Sequence, residues 1–402
     1  MINPYYIHVI SFVLVLFAYL FRWSDLYPEL SLSLIIFLLC TIIIALIIGT
    51  AFVKDKVIVF ENLSYKNNMQ LITILILAGY GLEFLYAGNF PLLSIFGGPA
   101  VPYHEFGIPT FHVLLVTFNS FYAVYLFQLC LTEKLAQRKK VIILFILTLI
   151  PSVLIMNRGM LVMIMMSCVF IYLIKFQYKI TFKKIAGLAV FLLFALYLFG
   201  VLGNMRLNSM YQTNTSLNDN ELFLDIGGAT EEFRQSFIPK EFFWTYIYLT
   251  SPLANLQKTI NEFEFTEDVN IDSSFDFTVT QLFPDFISKR IVAIFNITSP
   301  NPIQITPELN VSTAFAQAYT ILGWVGMSFF ILFLFVLAFF YILSLKKIKS
   351  PYFIVGVAIM NSIFLFNLFS NMFAFTGLSF QLIYPLLFSL FTTKIKVNEQ
   401  AG

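Results

Sequence analysis

Apolar residues run along this chain in long blocks separated by polar connections. Ten blocks stand at about 4–21, 29–53, 69–88, 110–131, 141–156, 159–174, 185–203, 314–344, 351–372 and 377–393. Each comes near the roughly 20 residues that a helix needs to cross the hydrocarbon of a bilayer. Backbone polar groups cannot stay unpaired in lipid, so each block predicts a transmembrane helix. The strands of a membrane barrel alternate apolar and polar residues, whereas these blocks are apolar on every side, which excludes a barrel. The expectation is an all-α polytopic integral membrane protein with about ten spans. Met1–Leu20 has no positively charged start and no small-residue cleavage site before Arg22, so it reads as a retained span rather than a signal peptide.

One long polar stretch, residues 204–310, interrupts this pattern. It divides the chain into a seven-helix membrane part (1–203), a large loop with short helices (204–310) and a three-helix membrane part (311–402). Within the loop, Asn208–Asn220 is polar, aperiodic and expected to be unstructured. Thr230–Thr250 carries seven aromatic residues and predicts an amphipathic helix lying on the membrane surface. Ser251-Pro252 predicts the cap and first turn of a separate helix through Phe263. Phe283-Pro284 interrupts a further helical piece that ends at Lys289-Arg290. Pro300–Pro307 reads as an extended return to the membrane, with Asn310 as the cap of the eighth span.

Composition agrees with this picture. The chain is 59% hydrophobic and 11% charged, with a mean hydropathy of +0.84, where soluble proteins carry roughly 25% charged residues. All three Cys lie inside apolar blocks, which argues against a disulfide framework. The three His show no metal-ligand spacing, and no phosphate loop or dinucleotide fingerprint occurs, so neither metal nor cofactor is expected.

Charge sets the orientation. Every even-numbered connection is basic: Lys54, Lys56 and Lys66; Lys134, Arg138, Lys139 and Lys140; Lys175, Lys179, Lys183 and Lys184; Lys346, Lys347 and Lys349; and Lys394 with Lys396 at the end. The short odd connections carry at most one base each. The positive-inside rule then puts both termini in the cytoplasm and residues 204–310 outside. The inner connections hold 15 Lys and one Arg, whereas the outer side holds five Arg and three Lys. Topology needs only positive charge inside. Arginine kept outside points to bidentate binding of an anion such as phosphate. The other reading has Arg22 anchoring the interface and the remaining arginines pairing with the loop, which holds 14 of the 22 carboxylates.

Arg158 sits at the tip of a hairpin, Val141–Met156 and Gly159–Ile174, bounded by Lys140 and Lys175. Arms of about 16 residues span about 24 Å, less than the hydrocarbon thickness, so Arg158 is expected below the outer boundary. A charge at that depth marks a functional site by default. Snorkelling to the headgroups is the alternative. The connection 89–112 is rich in Pro, Gly and aromatic residues and is expected to hug the bundle. It holds His104, Glu105 and His112; a His on such an apolar surface is commonly a satisfied packing residue, and the neighbouring carboxylate makes proton transfer the other reading. Glu83 is the one acid inside a predicted span, where it reads equally well as a structural residue.

Four stretches carry a family resemblance: Met156-Asn-Arg158-Gly159, Tyr248-Leu-Thr-Ser-Pro-Leu-Ala-Asn255, Asn310-Val-Ser-Thr-Ala-Phe-Ala-Gln-Ala-Tyr319 running into Gly323-Trp-Val-Gly326, and Glu105-Phe-Gly-Ile-Pro-Thr-Phe-His112. With the span pattern, the chain resembles the Wzy-type repeat-unit polymerases of bacterial O-antigen and capsule synthesis. The resemblance implies a GT-C-like integral-membrane glycosyltransferase of the bacterial cytoplasmic membrane that needs no metal or nucleotide sugar. Its donor and acceptor would be polyprenyl-pyrophosphate-linked oligosaccharides, with a chain-length regulator and a flippase as further partners and no nucleic acid. An acceptor hydroxyl would attack the donor's anomeric carbon and polyprenyl pyrophosphate would leave. On this reading Arg158, Arg206, Arg290 and Arg234 bind pyrophosphate, and Trp244, Tyr248 and Tyr319 bind sugar. The general base stays open among His104, Glu105, His112, Asp285 and Glu308. An O-antigen ligase-like transferase, a flippase or transporter, and a non-catalytic assembly or receptor protein are the rival readings. The absence of charges near the bilayer midplane and of a repeated half weighs against a transporter.

Overall fold

The computed structural model describes residues 2–63, 65, 68–96, 106–176, 182–210, 219–265 and 271–390. His104 and Glu105 lie outside the described residues, as does most of Asn208–Asn220. Every long element described is a helix, and the one isolated β-bridge joins Ser24 to Ala229. A helix occupies each of the ten apolar blocks: α1 (Pro4–Tyr19), α2 (Leu32–Lys54), α3 (Asn68–Ala87), α4 (Phe111–Thr132), α5 (Leu135–Leu154), α6 (Arg158–Phe176) and α7 (Phe182–Met210), then α13 (Ala314–Lys347), α14 (Phe353–Phe366) and α15 (Thr376–Leu390). Between them the polar stretch forms α8 (Glu221–Ile226), α9 (Glu231–Gln235), α10 (Phe242–Glu262), α11 (Ile271–Leu282) and α12 (Asp285–Phe295).

Among the described residues six helices are long and apolar enough to cross a membrane: α2, α3, α4, α6, the Val190–Asn208 part of α7, and α13. By length and composition this is a helical, multi-pass membrane protein. The helices α1, α14 and α15 are apolar but shorter, and the first turns of α5 carry Arg138, Lys139 and Lys140. Burial separates the inner helices from the outer ones. From Phe353 to Phe364 every residue of α14 is buried, so this helix, apolar but for Asn361 and Ser362, is the bundle's centre, with α1, α6 and α13 packed on it. In contrast, α2 exposes Ile43, Ile44 and Ile47, and α7 exposes Phe191, Leu193 and Phe194, the outward apolar faces that lipid requires.

Three expectations are corrected in the loop. The aromatic residues of 230–250 form no surface-lying helix. The chain breaks between Gln235 and Phe242, and Phe233, Phe243 and Tyr246 turn inward, with Trp23 and Tyr27 of the α1–α2 connection packed on them. Nor does a helix begin at Ser251. Pro252 lies inside α10, because Tyr246 and Ile247 before it are buried and the run Thr250–Gln257 around it is buried throughout. That burial outweighs the hydrogen bond lost at the proline. Finally, the cap of α13 is Thr313, whose side chain accepts from the Phe315 N–H, rather than Asn310. The segment is therefore no free-standing cover: α10 packs on α1, α7 and α13, and α11 packs on α13.

Glycine settles two of these contacts. At Gly200 of α7 an added Cβ would run into the Glu241 carbonyl oxygen, and at Gly203 it would come within 2.6–3.0 Å of the Trp244 ring. Only a face without side chains lets α10 seat against α7 so closely. In α13, Gly323 has φ of +59°, and a Cβ at Gly326 would strike the Ala318 carbonyl. The helix breaks sharply at Leu322-Gly323, a conformation that favours glycine.

Candidate functional site

The α5–α6 turn is set by its own residues. Met156 takes a left-handed conformation (φ of +59°), and the Asn157 side chain accepts from the Met160 N–H, capping α6. Arg158 is the first residue of that helix and is exposed. With 20 residues in α5 and 19 in α6, the hairpin helices are longer than the 16-residue arms expected from the sequence, because α5 begins before its lysines.

Arg158 and Arg206 line one cavity of about 490 Å³. Phe199, Phe223, Trp244 and Tyr248 wall it, and Glu308 is its carboxylate. The wall is firmly held. Trp244 stacks on Phe223 with ring centroids 3.6 Å apart, and its indole N–H donates to Asn204 Oδ1 at 2.6 Å. The rim carrying Glu308 is fixed by Asn255, the last residue of the Tyr248–Asn255 segment, which is wholly buried in α10. Its amide donates to the carbonyls of Leu309 and Val311 (2.8 Å to the latter) and its Oδ1 accepts from the Ile305 N–H at 2.7 Å. That one side chain ties the extended return to α10.

Neither Arg158 nor Arg206 has a carboxylate within ion-pair distance among the described residues. Arg234 differs. It pairs with Glu221 at 3.0 Å and Asp225 at 2.6 Å and also donates to the Ala229 carbonyl, so two carboxylates offset its charge, and it lines none of the three cavities described here. The structure thus sets Arg234 apart from Arg158 and Arg206. Arg22 is likewise paired, with Glu29. Tyr319 also leaves the expected site: it is buried against Phe265 and Trp324 as a core residue.

A second cavity, of about 610 Å³, is lined by His112, Asn157, Asp285, Lys289 and Arg290. Backbone bonds dock the start of α12 there, with the Asp285 N–H on the Ala374 carbonyl at 2.7 Å and the Phe286 N–H on Thr376 Oγ1 at 2.8 Å. Arg290 lies over the Phe286 ring and donates to Thr110 Oγ1 at 3.1 Å. Burial raises the Asp285 carboxyl above the usual carboxylate range, with Lys289 opposing. Arg290, expected beside Arg158, therefore stands in a separate space. The two spaces adjoin at the hairpin tip, where Asn157 lines one and Arg158 the other.

A third cavity, of about 410 Å³, shares Asp285 and Phe375 with the second and Asn310, Val311 and Phe369 with the first. Its remaining polar lining is neutral, including Gln304, Ser312 and Asn371. The third space thus shares lining residues with both of the others, and Asp285 is the ionisable group in its lining. This connection was not legible in the sequence, because Ser370 and Asn371 lie in what was read as the end of a span. Searches of protein-family models, curated proteins and solved structures return no match to this chain.

Proposed function

We propose that the chain is a Wzy-type polymerase, joining polyprenyl-pyrophosphate-linked oligosaccharides at the outer face of a bacterial cytoplasmic membrane. In this proposal all ten apolar helices span or enter the bilayer in a GT-C-like arrangement, with both termini inside and 204–310 outside, as the lysine distribution requires. The observation that carries it is the meeting of Arg158 and Arg206 in one aromatic-walled cavity without carboxylate partners. Other arginines of the same side, Arg22 and Arg234, are neutralised by acids. Free guanidinium pairs suit a diphosphate, which takes planar bidentate contacts.

The chemistry follows from that assignment. An acceptor hydroxyl oxygen bonds to the donor's anomeric carbon while the bond from that carbon to the pyrophosphate oxygen breaks. Negative charge develops on the departing polyprenyl pyrophosphate. Arg158 in the first turn of α6 and Arg206 in the last turns of α7 place positive charge where it stabilises that leaving group. Tyr248, exposed in the cavity wall, offers a face on which a sugar ring stacks, while Trp244 backs that wall against Phe223. Arg158→Ala should abolish polymer while leaving single-repeat glycolipid and protein level intact. Polymer of normal length from that variant would remove Arg158 from the leaving-group site.

A further inference from the structure

Glu83 is a buried carboxylate to which the reaction above gives no part. It sits near the end of α3, wholly buried, with Oε2 2.9 Å from Nδ1 of His112 in the first turn of α4. Its other oxygen has no hydrogen-bond partner among the described residues. A buried acid so sparsely satisfied demands an explanation. The chain closes tightly over the pair. Gly107, at φ of +95°, lies so near that an added Cβ would fall 2.6 Å from His112 Nδ1 and 2.8 Å from Glu83 Oε1. The buried Phe106 ring stands edge-on to the imidazole, with centroids 5.8 Å apart. Glu83 is thus sealed from solvent, while His112 is partly exposed and lines the cavity it shares with Asp285, Lys289 and Arg290.

With Nδ1 engaged by the carboxylate, Nε2 is the ring nitrogen available to that cavity. A carboxylate at Nδ1 holds the proton there and leaves the lone pair on Nε2, which is the arrangement of a poised general base. We propose that His112, positioned by Glu83, takes the proton of the acceptor hydroxyl, an assignment that rests on the polymerase reading. The O–H bond breaks as the oxygen bonds to the anomeric carbon. The proton passes to Nε2, and the electron pair of the broken glycosyl bond leaves with pyrophosphate in the adjoining cavity. Among the described residues, the charged groups around His112 are Glu83 behind it and Asp285, Lys289 and Arg290 across the cavity. Glu308 lines the arginine cavity instead, on the side of the leaving group.

The test uses the full chain in vesicles with lipid-linked repeat units extracted from producing cells that lack it. His112→Asn should lower turnover by about a hundredfold or more at a nearly constant apparent KM, and the acidic limb of the pH–rate profile should disappear. Glu83→Gln should also lower turnover, because a neutral amide does not stabilise the imidazolium that forms when the proton arrives. Glu83→Asp should recover part of the loss. Wild-type turnover with an intact acidic limb in both His112→Asn and Glu83→Gln would overturn the assignment. The polymerase reading fails separately, if the unaltered protein makes no polymer or Arg158→Ala makes as much.

Discussion

The seating of α10 on α7 determines how far the aromatic wall stands from Arg206, and Gly200→Ala tests it. A Cβ at Gly200 would lie 2.7 Å from the Glu241 carbonyl carbon and 2.8 Å from its Cβ, besides striking the carbonyl oxygen. These are mostly backbone atoms, so no side-chain rotation relieves the clash and the start of α10 must retreat. Forcing an extra methyl into a packed contact costs about 1–3 kcal/mol. Replacing glycine by alanine in a helix interior returns up to about 1 kcal/mol. The net loss should fall between about 0 and 3 kcal/mol and centre on ~1.5 kcal/mol, roughly a tenfold change in the folded-to-unfolded ratio. Thermal unfolding of the detergent-solubilised protein, followed by tryptophan fluorescence, reads both the stability and the displaced Trp244. Gly187→Ala in the same helix is the control, since nothing lies within 4 Å of its added Cβ. It should leave stability equal or slightly higher. If the two variants unfold alike, α10 does not rest on α7 at Gly200.

Other consequences follow from the same contacts. Gly159→Ala should not lower stability, since its Cβ would meet only Asn157 Oδ1 at 3.9 Å; polymer lost from a stably folded variant would show that ligand occupies this space. Asn255→Ala should cost about 1–3 kcal/mol through stranded buried backbone groups, with faster amide exchange at Ile305 and in the return around it measured by mass spectrometry. Asp285 gives a pH signature of known sign. Its carboxyl is raised by burial in the folded state, so its contribution to stability is complete below the ordinary carboxylate pKa and is lost as pH rises through the raised value. Wild type should therefore lose stability relative to Asp285→Asn over that window in paired unfolding scans, and a constant difference would contradict the burial.

Much of the fold was readable because lipid leaves a chain few choices. Ten apolar blocks became ten helices, and the boundaries moved mainly where charge or proline had been read as a stop. The lysines of α5 lie in its exposed first turns, where their helix propensity is good, and Pro252 lies inside α10 because burial on both flanks outweighs a local signal. The arginine cavity was partly readable: Arg158, Arg206, Trp244, Tyr248 and Glu308 were all candidates, and the structure brings them together. Sequence could not say which guanidinium groups are already neutralised, so Arg234 stood beside Arg158 until Glu221 and Asp225 were seen on it. Tyr319 misled for a similar reason, since an aromatic residue near a span end reads alike in core and site. Glu83 was visible as an acid within a span, but its partner is 29 residues away across a turn. Only the approach of Gly107 shows how tightly that pair is enclosed.

Polymerisation itself is best tested by reconstituting the purified chain in vesicles with polyprenyl-pyrophosphate-linked repeat units as the sole glycan. The account predicts a ladder of lipid-linked products that grows by whole repeats, is absent with Arg158→Ala and is poorly restored by Arg158→Lys. Transfer of one preformed chain to a different lipid, movement of the glycolipid across the bilayer without a new glycosidic bond, or an undiminished ladder from Arg158→Ala would contradict it.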